Sequence, residues 1–448
     1  MPGTVRRGSG SWGPLGLLLT TAACVLLGTV LFAPHARRAA SAPVAATLGE
    51  LPVGWPRTLQ LGVSDGLSTG AALRARAPFG FRYQYLAGGV NTGNGWATWN
   101  PDGSFVTSYV QESVENGLIP IFTYYMLTQS RPGSAAGESQ AASANLQNTA
   151  TMTAYYDDLR LFFQRAGAFP GTLIVLHVEP DLWGFAQQRV RADRADTVPV
   201  QVAATGQPEL AGLPDDLRGF AQGVGRLRDR YAPNVLLGYH LSTWGTGTDF
   251  AYTRPPAPVV DALADRAAAY YASLGQPFDL VFAEFSDRDA GFKAQIYGDH
   301  GASWWRPDDF DRHVRFLARF AGTTGRRLVL WQIPFGNTKM RAMNNTWDHY
   351  QDNRVEWLLD DPSRQHLQEY IDAGVIALLF GRGADGATCA CDAAGDGVTN
   401  PEPINGNDGW SLNADDDGGY FQQQATRFYG APPVLLPGES SAYEAGGS

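Results

Sequence analysis

The run Leu173-Ile174-Val175-Leu176-His177-Val178 leads directly into Glu179-Pro180-Asp181-Leu182-Trp183. Its apolar residues fall on both alternating faces, as suits a strand buried on both sides in a parallel sheet. Residues 151–167 before it and 214–231 after it carry apolar positions at helical spacing. The run is therefore the β member of an alternating β/α pattern. Working outward, the same kind of run recurs at 59–63, 81–86, 119–125, 235–240, 280–283, 328–332 and 375–380. Further helical patterns lie at 105–116, 258–274, 307–321 and 354–373. Several open on Pro or Thr and close at a Gly, as helix ends tend to. Strand starts are spaced by about 22 to 62 residues, enough for a crossover helix each time. Eight such units in succession argue for a closed (β/α)8 TIM-type barrel with long βα loops. The rival is an open doubly wound sheet. No Gly-x-Gly-x-x-Gly turn follows the first strand, so its dinucleotide-binding version has no support.

The barrel is expected over residues 47–436, with a loose tail at 437–448. Ahead of it, Arg6 and Arg7 precede a 19-residue apolar run, 15–33. That order reads as an export signal. Val44-Ala45-Ala46 fits a cleavage site, whereas Arg37 and Arg38 suit a retained membrane anchor. Segment 1–46 is thus a signal peptide or an anchor, and the protein is expected to be secreted or held at the cell surface. Apart from Cys24 the only cysteines are Cys389 and Cys391, too few for a disulfide framework or a four-ligand zinc site.

Composition narrows the function. With 34 Lys+Arg against 44 Asp+Glu the net charge is −10, and no basic stripe stands out, so nucleic acid is not an expected partner. Hydrophobic residues are 44% and aromatic residues 12% of the chain, which excludes disorder. Only one long apolar run exists, which excludes a multispan membrane protein.

Barrel chemistry sits where strands end and βα loops begin. Read strand by strand, those positions offer Asp65, then Tyr85, Tyr125, His177 with Glu179, Asp181 and Trp183, His240 with Trp244, Glu284 with Asp287, Trp331 with Gln332, and Arg382. By strand alternation His177 and Glu179 share the face of Val175 and point into the mouth. A carboxylate there, among apolar and aromatic groups, has a raised pKa and suits a general acid. Glu284 ends the sixth strand in the same way. Two carboxylates across one mouth suit glycosidic bond cleavage: one protonates the leaving oxygen, and the other attacks the anomeric carbon or activates water. Tryptophans and tyrosines on several loops fit the apolar face of a sugar ring. Against this stands the plainer reading. A strand-end acid often pairs with an arginine, a buried His is often structural, an Asp often starts a turn, and a rim aromatic often belongs to the core.

On these residues the chain resembles the broad group of (β/α)8 glycoside hydrolases. Glu179-Pro180 resembles the acid/base turn of the retaining clan that carries Asn-Glu-Pro after strand four, with Val178 in place of the Asn. That clan's nucleophile follows strand seven, where this chain has Gln332. Placement of two carboxylates after strands four and six is similar to the α-galactosidase clan, which uses Asp. The chitinase pattern Asp-x-x-Asp-x-Asp-x-Glu is absent. The resemblance implies a carbohydrate substrate, with Glu179 and Glu284 catalytic and the remaining strand-end residues substrate-binding. Two other readings stand beside it. One is a non-catalytic glycan-binding barrel at the cell surface. The other is a metal-dependent hydrolase using His177, His240 and a carboxylate.

Two loops complete the reading. Residues 381–419 are rich in Gly, Asn and Asp and are expected to cover one side of the mouth. Their spacing does not fit an EF-hand, and no cofactor is expected. Residues 128–151, rich in Ser, Ala and Gln, read as a second, mobile flap.

Overall fold

The computed structural model describes residues 48–286, 288–341, 352–381, 409–410 and 420–437. The eight apolar runs form eight parallel strands: β1 (Gln60–Ser64), β2 (Phe81–Leu86), β3 (Ile119–Tyr124), β4 (Ile174–Val178), β5 (Val235–Leu241), β6 (Leu280–Glu284), β7 (Leu328–Ile333) and β8 (Val375–Phe380). Each pairs with the next, and β8 returns to β1 with Leu61 opposite Leu378, so the barrel is closed. Trp55, ahead of β1, packs on Phe81 and donates to the carbonyl of Ile376, both near the N-terminal ends of their strands.

The helices between strands are amphipathic for the reason their sequences give. In Pro307–Thr324 the residues Phe310, His313, Phe316, Leu317 and Phe320 recur at three- and four-residue spacing and are buried. On the same helix Arg315 and Arg319 form forked pairs with Asp261 and Asp265 of Ala257–Ser273. Helix starts are fixed by side-chain caps: Asn148 accepts from the amide of Thr151 and Asp216 from that of Gly219.

Two expectations change here. The helix expected over 354–373 is two helices, Arg354–Leu359 and Gln365–Asp372. Pro362 lies between them, and a proline in a helix interior removes one hydrogen bond and clashes with the preceding turn. The flap expected over 128–151 is a packed segment with a turn at Gly133–Ala135 and a helix at Glu138–Leu146. Asn145, fully buried, donates to the carbonyls of Leu127 and Ser130 and accepts from the amide of Gly133. One amide side chain thus satisfies three backbone groups of the turn.

Arg82 on β2 is buried between the barrel and the helix Ser104–Glu115. It pairs with Asp65 and Glu112, both at 3.0 Å, and donates to the hydroxyl of Ser113 and the carbonyl of Tyr109. Removing a buried partner leaves charges without compensation. Arg82→Met is therefore expected to lower the unfolding free energy by about 3 kcal/mol, the lower end for such a loss because both acids keep some contact with water. Urea unfolding of the two proteins measures it, and a loss under about 1 kcal/mol would contradict this role.

Segment 1–46, the two cysteines of the loop after β8, most of that loop and the tail from residue 438 lie outside the described residues. Among the described residues no helix is long and apolar enough to cross a membrane.

Candidate active site

A cavity of about 930 Å³ opens at the C-terminal ends of the strands, where the fold places loop-borne chemistry. Its lining includes Tyr85 at the end of β2, Tyr125 after β3, Asp181 after β4, Trp244 after β5, Glu284 ending β6, and Trp331 with Gln332 on β7. All seven are strand-end positions read from the sequence. Gln332 donates from Nε2 to the hydroxyl of Tyr85, which ties β7 to β2 across the mouth. Three of the non-glycine residues in the left-handed region sit at this rim: Glu179 (φ 46°), Asp181 (φ 65°) and Gln332 (φ 53°). Such conformations cost energy and cluster where a side chain must be aimed against local preference.

The two carboxylates that face each other are Asp181 and Glu284, not Glu179 and Glu284. One oxygen of Asp181, one of Glu284 and a ring nitrogen of His240 lie within 4.8 Å of one another. Both acids are partly exposed to the cavity, whereas Glu179 is fully buried and contributes nothing to its lining. The alternation rule fails at Glu179 because β4 ends at Val178 and the next residue leaves extended backbone for a positive φ. Its side chain turns toward the segment after β3. There it accepts from the amides of Met126 at 3.1 Å and Leu127 at 3.2 Å. Burial pushes the Glu179 carboxyl up to about 8, with the two amides opposing that rise. The raised pKa expected from the sequence is present, but it belongs to a group holding backbone in place. Asp158 lies near it, accepts from the Tyr124 hydroxyl and the Trp96 indole, and is raised by burial to about 6.

Beside the carboxylates stands a layer of rings. His177 stacks on Phe282 with centroids 4.1 Å apart, and its Nε2 lies 3.0 Å from Nδ1 of His240. Trp331 meets both imidazoles edge-on. Gly238 leaves room for this arrangement, since a Cβ there would come within 2.3 Å of the Phe282 ring. Burial lowers both histidines, His240 to about 3, so the pair is neutral across the physiological range.

The other expected residues divide as follows. Asp65 is held by Arg82 and by the hydroxyl of Thr69 and does not line the cavity, so the arginine-partner reading applies to it. Trp183 is fully buried, donates to the carbonyl of Val178 and packs on Phe220, Tyr239 and Phe278. It is a core residue, because the helix Leu182–Gln187 that begins at this point turns it inward. His177 is likewise buried and meets the site through His240 and Trp331. Asp287 and Arg382 lie outside the described residues. Sequence reading passed over Phe185, Asp249, Tyr252, Lys293 and Arg354, which also line the cavity. They sit on short helices or loops well after their strands, where no strand-end rule points.

No protein-family model matches the chain, and no curated protein sequence matches it. Among solved structures it is similar to the GH53 catalytic domain of Ignisphaera aggregans at 10% identity and a TM-score of 0.45, over 86% of this chain and 99% of that one. A GH6 enzyme of Orpinomyces sp. Y102 matches at 13% identity and a TM-score of 0.34, over 81% and 88%. Morphinone reductase matches at 13% identity and a TM-score of 0.36, over 75% and 87%. These names range from glycoside hydrolase families to a reductase, and likeness at this level carries no functional argument.

Proposed function

We propose that the protein is an exported glycoside hydrolase that acts with retention of configuration, using Asp181 and Glu284 as its paired carboxylates. The observation that carries this reading is their approach within 4.8 Å in a cavity walled by tyrosine and tryptophan. Retaining enzymes hold their carboxyl groups roughly 5–5.5 Å apart, and inverting enzymes leave roughly 6.5–9.5 Å for a water. The short separation lets one carboxylate reach the anomeric carbon while the other protonates the leaving oxygen. The same acid then deprotonates the incoming water as the glycosyl–enzyme ester is cleaved. Trp244, Trp331, Tyr85 and Tyr125 offer faces on which sugar C–H groups pack. Export rests on the N-terminal pattern of two arginines and a 19-residue apolar run.

Stereochemistry tests the mechanism directly. On the first glycoside found to be cleaved, proton NMR of early product is expected to show the anomer of the substrate. Initial release of the opposite anomer would contradict a nucleophilic carboxylate. Saturable sugar binding with no reducing end released would favour a glycan-binding barrel instead.

A further inference from the structure

His240 has a feature that hydrolysis does not require. Its ring is fully buried, and Nδ1 is engaged by His177, while Nε2 meets no hydrogen-bond partner. A buried imidazole nitrogen without a partner is costly unless something occupies it. The same ring stands in one group with the carboxylates of Asp181 and Glu284. The surrounding bonds set the tautomer that a ligand needs. With the proton on Nδ1, His240 donates to Nε2 of His177, and the Nδ1 proton of His177 then points toward the hydroxyl of Thr123 at 3.4 Å. Metal-binding histidines are held in this way, with the outer N–H bound to a second group that orients the ring.

We infer that Asp181, His240 and Glu284 bind one divalent transition-metal ion of the zinc type, and that the bound ion blocks hydrolysis. This rests on the proposed function for its inhibitory half only. One imidazole and two carboxylates suit zinc, whereas magnesium and calcium favour oxygen donors throughout. Three protein ligands leave a coordination position for water. Donors around a tetrahedral zinc with bonds of about 2.1 Å lie roughly 3.4 Å apart. Binding therefore requires the two carboxylates to turn inward from the present spread of up to 4.8 Å. An ion so held ties up both carboxylates, leaving neither to attack nor to carry a proton.

The test is calorimetric titration of zinc chloride into the full chain after chelator treatment. The expected result is a site of one ion per chain, weakened at least a hundredfold in His240→Phe and at least tenfold in Glu284→Gln. Glu284→Gln keeps the shape of a partly exposed group and so covers the case in which His240→Phe does not fold. Magnesium is expected to give no such site. Absence of zinc binding, or wild-type affinity in either Glu284→Gln or a folded His240→Phe, would overturn the inference. Hydrolysis is assayed separately on the metal-free chain. If that chain cleaves glycosides and zinc leaves the rate unchanged, the inference fails and the proposed function stands. If zinc binds through His240 and the metal-free chain cleaves no glycoside, the proposed function fails and the site stands.

Discussion

Glu284→Gln is expected to lower kcat by about 10²–10⁴-fold, the range that general acid–base groups supply, with little change in unfolding midpoint. Asp181→Asn is expected to do the same. Both side chains are partly exposed in the cavity, and both replacements keep shape while removing the ability to carry a proton or attack carbon. Glu179→Gln is the informative contrast. Its amide oxygen can still accept from Met126 and Leu127, so kcat is expected to stay within about tenfold of wild type. Steady-state kinetics and thermal melts on the three variants separate the roles. A loss at Glu179→Gln as large as at Glu284→Gln, in a protein that melts normally, would return the chemistry to Glu179.

Stability should depend on pH in a way traceable to the same buried glutamate. The Glu179 carboxyl is raised by burial to about 8 from an ordinary value of 4.5. Between those values the folded chain holds a proton that the unfolded chain has lost. Unfolding free energy therefore falls as pH rises, by about 1.4 kcal/mol per pH unit for one such proton. The stabilisation is fully present below about pH 4.5 and lost by about pH 8, on the order of 5 kcal/mol in all. Asp158, raised to about 6, adds to the decline in the acidic part of that window. Glu179→Gln cannot ionise, so its unfolding free energy is expected to lack most of the slope between pH 6 and 8. Urea unfolding across that range checks the difference, and parallel slopes for the two proteins would refute the burial argument.

The barrel was legible because each strand is a short apolar run buried on both faces, and burial on both faces leaves no other use for such a run. Strands 81–86 and 375–380 match the residue pattern at both ends, and the other six differ from it by one residue. The site was legible in part. Strand-end logic placed Tyr85, Asp181, Glu284 and Gln332 at the mouth because a closed barrel leaves those positions nowhere else to go. It failed at Glu179 because alternation holds only while backbone stays extended, and one positive φ sends the side chain elsewhere. Trp183 was ambiguous for another reason: an indole suits a sugar platform and a core equally, and only the helix beginning at Leu182 decides. Asp65 was claimed by Arg82, a partner on the next strand whose side chain points away from the mouth. The separation of Asp181 from Glu284 had no sequence signal, since it depends on how the turn after β4 meets the end of β6 in space.

Trapping of the covalent intermediate addresses the assignment most directly. The chain is incubated with activated 2-deoxy-2-fluoro glycosides, digested, and the labelled peptide identified by mass spectrometry. The expected result is one glycosyl group per chain, attached at Asp181 or Glu284. A label on Glu179, or steady turnover of the parent glycoside with inversion and no label at all, would contradict the assignment of the chemistry to that pair.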